Sequence, residues 1–297
     1  MNLPPALAGD RFEFGGMSCY MAGNGPPLLL VHSVNAAASA AEVRPLFDHF
    51  AATRTVFAVD LPGFGFSERS DRPYDPWLMT NALQGMATQI QRLCGCEPID
   101  ALACSLGCEF LARAAVEQPD TWGALAFVSP TGLNGTRVRR GPPGSTRAMP
   151  LLHSTLSVPL WSNALYRGLT HPAVIRYFLE RTWGSKSIDE TLWSYDVATA
   201  RQPGARFAPL HFIAGSLFSD DIHDVYEKAS QPVWMSRGVR GDFADYRSDA
   251  VVRKLPNWKI DTFQTGALPY FEVPHDFFTA FNAFLQNARR GDQRKVG

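Results

Sequence analysis

Ala103-Cys-Ser-Leu-Gly107 stands between an apolar run and a helical pattern, and it places a hydroxyl at the end of a strand. The five residues are a variant of G-x-S-x-G, the nucleophile elbow, in which a strained strand-to-helix turn pushes a serine into the open. Small residues two before and two after the serine let such a turn close. Ala103 takes the place of the first glycine and Gly107 keeps the second. Ser105 is therefore the candidate nucleophile, although a serine may also end a strand simply because it tolerates a turn. A hydroxyl attacks only when a base removes its proton, and imidazole suits that task at neutral pH. The chain holds seven histidines. His32 closes an apolar run and reads as a residue that pins a loop, while His49, His153, His171 and His211 stand in no motif.

The elements that must position Ser105 alternate between short apolar runs and longer helical patterns, which predicts an α/β fold with a mostly parallel sheet flanked by helices. Arg11–Phe14 and Ser18–Met21 read as an opening antiparallel pair. Pro27–His32, Thr55–Asp60, Ile99–Ala103 and Ala124–Ser129 read as strands buried on both faces. After Asp75-Pro76, a cap followed by proline at the first helical position, Met79, Leu83, Met86, Ile90 and Leu93 share one helix face up to Gly95. A second stripe, Phe277, Phe278, Phe281, Phe284 and Leu285, follows Pro274. Between about Thr131 and Ser216 the alternation lapses into a Gly/Pro/Arg-rich loop and helical stretches, one opening with a capping box from Ser187 to Glu190. This predicts a sheet domain over 1–130 and 217–297 with a helical cap over 131–216. Strands resume at Pro232–Arg237 and Lys259–Gln264, and the basic end 289–297 reads as a frayed terminus.

Composition narrows the function. The 297 residues carry 28 basic and 28 acidic side chains, so the neutral total points to no nucleic-acid or acidic-membrane partner. No apolar run approaches the roughly 18 residues of a membrane span, and the first ten residues lack a secretory pattern. Five cysteines, an odd set, suit a reducing cytoplasm better than a disulfide framework. Cys94-Gly-Cys96 and Cys104 with Cys108 match no zinc spacing. Gly63-Phe-Gly65 invites a dinucleotide loop, but Glu68 replaces the third glycine and no helix follows. No metal and no cofactor are expected.

Together, three motifs resemble the α/β-hydrolase superfamily over nearly the whole chain outside the cap. They are Leu30-Val-His-Ser-Val34 at a strand end, Asp60-Leu-Pro-Gly-Phe-Gly-Phe-Ser67, which looks like D-x-P-G-x-G-x-S, and the elbow at Ser105. The resemblance implies an oxyanion hole built from the backbone N–H of Leu106 and of Val34, with Ser33 the alternative for the second donor. It places the acid in Gly238-Val-Arg-Gly-Asp242, with Asp242 first and Asp245 in reserve. It also implies a histidine in G-H-x-P-x-x-E-x-P, where this chain reads Gly266-Ala-Leu-Pro-Tyr-Phe-Glu-Val-Pro274. Ala267 cannot accept a proton, which leaves His275, eight residues on, and His223 as substitutes.

The expected function is a cofactor-independent hydrolase acting on a small-molecule ester, thioester or related carbonyl compound with an apolar moiety. Ser105 would attack, and Asp242 would orient whichever base serves. The aromatic content of the cap, including Trp161, Tyr166, Tyr177, Phe178 and Trp183, would give the ligand its apolar seat, and Arg137, Arg139, Arg140 and Arg147 would form a solvated loop. Two other readings stay open. One is a pseudoenzyme that binds a small apolar ligand or a partner protein. The other is a lyase or cofactor-free oxygenase in which Ser105 only positions substrate.

Overall fold

The computed structural model describes residues 3–95 and 97–296, with backbone only for 291–296. Eight strands form one sheet: β1 (Asp10–Phe14), β2 (Met17–Ala22), β3 (Pro27–Val31), β4 (Thr55–Asp60), β5 (Ile99–Cys104), β6 (Trp122–Val128), β7 (Val233–Arg237) and β8 (Trp258–Thr262). Their order is β1-β2-β4-β3-β5-β6-β7-β8. β2 runs antiparallel to β1 and β4, and the other neighbours are parallel. Every residue of β3 and β5 is buried, as continuous apolar strands between two helix layers must be. β3 sits between β4 and β5, so the strand order reverses there. The crevice outside the carboxyl ends of β3 and β5 is the switch point where open α/β sheets bind ligands.

Twelve α-helices accompany the sheet among the described residues. Before β7 they are α1 (Arg44–Phe50), α2 (Pro76–Cys94), α3 (Gly107–Glu117), α4 (Pro150–Leu156), α5 (Ser162–Leu169), α6 (Pro172–Trp183), α7 (Glu190–Thr199), α8 (Phe207–Ile213) and α9 (Ile222–Lys228). After it come α10 (Ala250–Arg253), α11 (Pro269–Glu272) and α12 (Pro274–Val296). Asp75 caps α2 through Leu78 N–H at 2.8 Å, and Met79, Leu83, Met86 and Ile90 are buried. Leu93 departs from its expected place. It is 51 % exposed, and Cys94 packs on the core instead. On α12, Phe277, Phe281, Phe284 and Leu285 are buried, with Trp234 stacked on Phe281 at 5.4 Å. The expected frayed end is helical through Val296, while Gly297 and the side chains from 291 onward lie outside the described residues, as does Cys96.

Between β6 and β7, one local expectation fails. The capping box at Ser187 does not form, because Asp189 caps α7 through Leu192 N–H at 2.7 Å and so sets the helix start two residues later. The arginine-rich loop is largely exposed, and three of its arginines are engaged. Arg139 pairs with Asp220 at 3.0 Å, and Arg140 pairs with Asp224 and Glu227. Arg147 lies over the Phe218 ring at 4.2 Å.

α4 meets α8 through His153 and His211, whose rings stack at 3.8 Å. Burial, then the neighbouring His153, lowers His211 from 6.5 to about 4, and burial also lowers His153. Asp71 and Asp75 act on the pair in the opposite sense. The folded chain thus holds His211 neutral where the unfolded chain takes up a proton, so stability falls as pH drops from about 6.5 towards about 4. His211→Phe, which keeps a stacking ring and removes the titration, is expected to melt higher relative to the parent at pH ~5 than at pH ~7. Thermal unfolding of both proteins at the two pH values measures this, and an unchanged difference would contradict it.

Candidate active site

Ser105 occupies the left-handed region with φ +50°, one of two non-glycine residues to do so among the described residues. Glycine adopts that conformation freely, while an L side chain holds it at a cost. The turn is fixed by Ser105 N–H donating to Val128 O at 2.8 Å and by Cys108 N–H donating to Ser105 O at 3.2 Å. Gly107 is small for a steric reason, since a Cβ there would stand 2.5 Å from His32 O. Ser105 is half-buried, and its hydroxyl has no hydrogen-bond partner among the described residues. Ser105→Gly is therefore expected to stabilise the fold by about 1 kcal/mol, read as an upward shift in thermal unfolding. No gain would mean that the turn carries no strain.

The loop after β3 is held from beneath. His32 is fully buried, donates from Nδ1 to Ser33 O at 2.5 Å, and accepts Leu61 N–H on Nε2 at 2.9 Å. Burial lowers its pKa to about 4, so it stays neutral and serves as a strut. Glu42, which the sequence reading did not single out, is buried and accepts Ser33 N–H at 2.8 Å, Ser33 Oγ at 2.9 Å and Asn35 Nδ2 at 2.8 Å. A glutamate inside Ala40-Ala-Glu-Val43 was the available signal. Because Glu42 takes the Ser33 N–H, Ser33 cannot be an oxyanion donor. The Val34 and Leu106 N–H groups are in buried residues and make no hydrogen bond among the described residues. Unpaired buried N–H groups are rare, and two beside a candidate nucleophile suit a developing oxyanion. Leu106 also opens α3, whose N-terminal dipole favours negative charge.

The acid and base loops pack together, but they do not bring acid and base residues to Ser105. Val239 N–H donates to Thr265 O at 2.9 Å, and Ser129 Oγ donates to Ala267 O at 2.7 Å, so the 238–242 and 265–267 loops meet near the end of β6. Ala267 is buried, and its N–H bonds Thr182 O at 2.9 Å. Asp242 turns outward, gripping the Arg181 guanidinium with both oxygens at 41 % side-chain exposure. Asp245 is chelated by Arg247, which holds its carboxyl below the usual range.

The histidines are committed elsewhere. His275 is 92 % exposed and its ring partner is Asp276. It stands two positions, about 200° of helical turn, from the inward Phe277, so the ring faces water. His223 accepts Arg139 N–H on Nδ1 at 2.9 Å. His49 stacks on Phe278 at 4.0 Å, and His171 caps α6. The structure thus brings Ser105, Val34 and Leu106 to the switch point and does not bring Asp242 or His275 there.

The aromatic residues expected to seat a ligand divide. Tyr166 and Trp183 are buried, whereas Trp161, Tyr177 and Phe178 are exposed. Tyr166 OH donates to Ala36 O at 2.8 Å, laying α5 on the loop after β3. A separate cleft of about 470 Å³, lined by Phe66, Arg69, Gln202 and others, includes none of the candidate residues. Cys104 and Cys108 are buried, with Cys104 Sγ 3.3 Å from Tyr270 OH, and burial raises both thiols. Among the described residues, no three His, Cys, Asp or Glu side chains gather to hold a metal ion.

Residues 26–202 match the model of the alpha/beta hydrolase fold family, and no curated protein matches the chain. Solved structures share the fold at low identity. A bacterial membrane phospholipase A aligns at TM-score 0.69 and 19 % identity, over 95 % of this chain and 86 % of its own. A serine hydrolase of carbazole degradation aligns at 0.72 and 15 %, over 94 % and 98 %. The 2-hydroxy-6-oxo-6-phenylhexa-2,4-dienoate hydrolase of Rhodococcus sp. strain RHA1 aligns at 0.69 and 18 %, over 94 % and 97 %. With more than half its length matched, this strand order and a serine held at positive φ after β5, the chain belongs to the alpha/beta hydrolase fold family.

Proposed function

We propose that the protein is a serine hydrolase without an imidazole base, which binds a small ester, thioester or related carbonyl compound with an apolar moiety. The observation that carries this reading is Ser105 at φ +50° with an unengaged hydroxyl, beside the two unpaired N–H groups of Val34 and Leu106. Those donors polarise the carbonyl, and Ser105 Oγ attacks its carbon. The hydroxyl proton leaves to solvent hydroxide, and the alcohol or thiol departs with a proton taken from water. Water then hydrolyses the acyl-serine slowly, releasing the acid and restoring the Ser105 hydroxyl, because no base activates that water either.

Active-site labelling with a fluorophosphonate between pH ~6 and ~9, the adduct located by mass spectrometry, tests this. A serine deprotonated by hydroxide should label about tenfold faster per pH unit across that range. A recruited histidine would instead give a plateau above pH ~7, near its ordinary pKa. The expected result is the unbroken rise, with the adduct at Ser105 and none in Ser105→Ala.

A second reading, a non-catalytic binder, is favoured by the outward pairing of Asp242 with Arg181. Absence of a Ser105 adduct at every pH, with an apolar ester still retained, would select it.

A further inference from the structure

The neutral total conceals a segregated charge distribution. Residues 121–179 contain no Asp or Glu and six arginines, so all 28 acidic residues lie outside this stretch. Within it, α4 buries none of its residues. Leu151 and Leu160 are each 86 % exposed, Met149 is 48 % and Trp161 is 44 %. Large apolar groups this exposed stand out from the surface as knobs, on a limb that is itself ordered. Trp161 Nε1 donates to Thr155 O at 2.9 Å, and Ser157 Oγ meets His153 Nε2 at 3.0 Å. Arg139, Arg140, Arg147 and Arg176 are engaged by Asp220, Asp224, Glu109 and Glu190 from outside the stretch. Arg137 and Arg167 form no ion pair among the described residues, and Arg167 belongs to α5, on the same limb.

We propose that the α4–α5 limb, residues 149–169, is an interfacial docking surface for an anionic lipid membrane. Protruding leucines with a tryptophan, next to an unpaired cation on a limb with no acidic residue of its own, match the boundary between phosphate headgroups and acyl chains. Leu151, Leu160 and Trp161 enter that boundary and Arg167 meets a phosphate. A second copy of the chain is a poorer occupant, because a two-fold contact would set each limb, which carries an unpaired Arg167 and no acidic residue of its own, against the same limb of the other copy. The contact lies in the membrane plane, since no helix among the described residues is long and apolar enough to cross. It stands whether or not Ser105 reacts. It also has a bearing on that site, because Tyr166 of the same limb rests on Ala36 of the loop after β3.

Sedimentation of the full chain with vesicles of equal parts phosphatidylcholine and phosphatidylglycerol, against phosphatidylcholine alone, tests the surface. The parent should pellet with the anionic vesicles, less so as salt rises. Leu151→Glu with Leu160→Glu should weaken partitioning roughly tenfold or more. Arg167→Glu should weaken it less and flatten the salt dependence. These positions are exposed, so thermal unfolding should be unchanged. Failure of the parent to bind anionic vesicles, or equal binding by the leucine variant, overturns the proposal. A dimer in light scattering that the leucine variant dissociates, without vesicle binding, overturns it in favour of a second copy.

Discussion

Turnover of an activated ester is expected to run only about 10³–10⁴-fold above water, on the order of 10⁶-fold short of a complete triad. The reason is the division of the machinery at the switch point. In the proposed reading the oxyanion half is supplied by the Val34 and Leu106 N–H groups, which are unpaired among the described residues, while Ser33 N–H is taken by Glu42. The same reading has no proton-transfer half among the described residues, since Ala267 is buried without a basic group and His275 faces water. Members of a triad act as a unit, so losing one costs nearly as much as losing all. Ser105→Ala is therefore expected to leave the steady-state rate within a few-fold while abolishing the covalent adduct and any initial burst. Stopped-flow and steady-state assays of a chromogenic ester separate the two quantities. A hundredfold fall in steady-state rate on Ser105→Ala would show that some group does activate the serine, and would refute the base-free reading.

Asp221→Ala is expected to cost about 3–5 kcal/mol, because it leaves a buried guanidinium without its counter-charge. Asp221 is 4 % exposed and takes both prongs of Arg113, at 2.6 and 3.3 Å, as well as Gly144 N–H at 2.6 Å. Arg113 lies on α3, the helix that runs from the elbow, and Asp221 immediately precedes α9. Removing the carboxylate leaves the buried Arg113 guanidinium without its ion pair and the part-buried Gly144 N–H without its acceptor. In thermal unfolding this should lower the midpoint by on the order of 10 °C. Replacing both charges with apolar groups of similar size, Arg113→Met with Asp221→Leu, should recover most of the loss, because the pair's desolvation is then no longer incurred. A double variant as unstable as Asp221→Ala would assign the effect to lost packing.

Local constraints made much of the chain legible from its sequence. The elbow was readable because a positive φ at Ser105 and a close approach at Gly107 both demand small neighbours, and those neighbours are adjacent in the chain. β3 and β5 were readable because strands buried on both faces are apolar throughout. The start of α2 was readable because Asp75 and Pro76 write the cap into two consecutive residues. The start of α7 is not legible in the sequence because two acceptors two residues apart, Ser187 and Asp189, offer competing caps, and Asp189 is the one that takes Leu192 N–H.

What the sequence determined by itself is the fold family, the strained turn that carries Ser105 and the lack of a histidine at Ala267, since each is set by contiguous residues. Tertiary structure alone decided where the distant charges went. Asp242 meets Arg181, 61 residues away in the chain, rather than a base. Glu42 selects Val34 over Ser33 by taking one N–H, and the arginine loop is neutralised by Asp220 and Asp224 while the α4–α5 limb keeps Arg167 unpaired. These outcomes depend on which loops the sheet brings together, and a long side chain in a loop records nothing of its eventual partner in its neighbours along the chain.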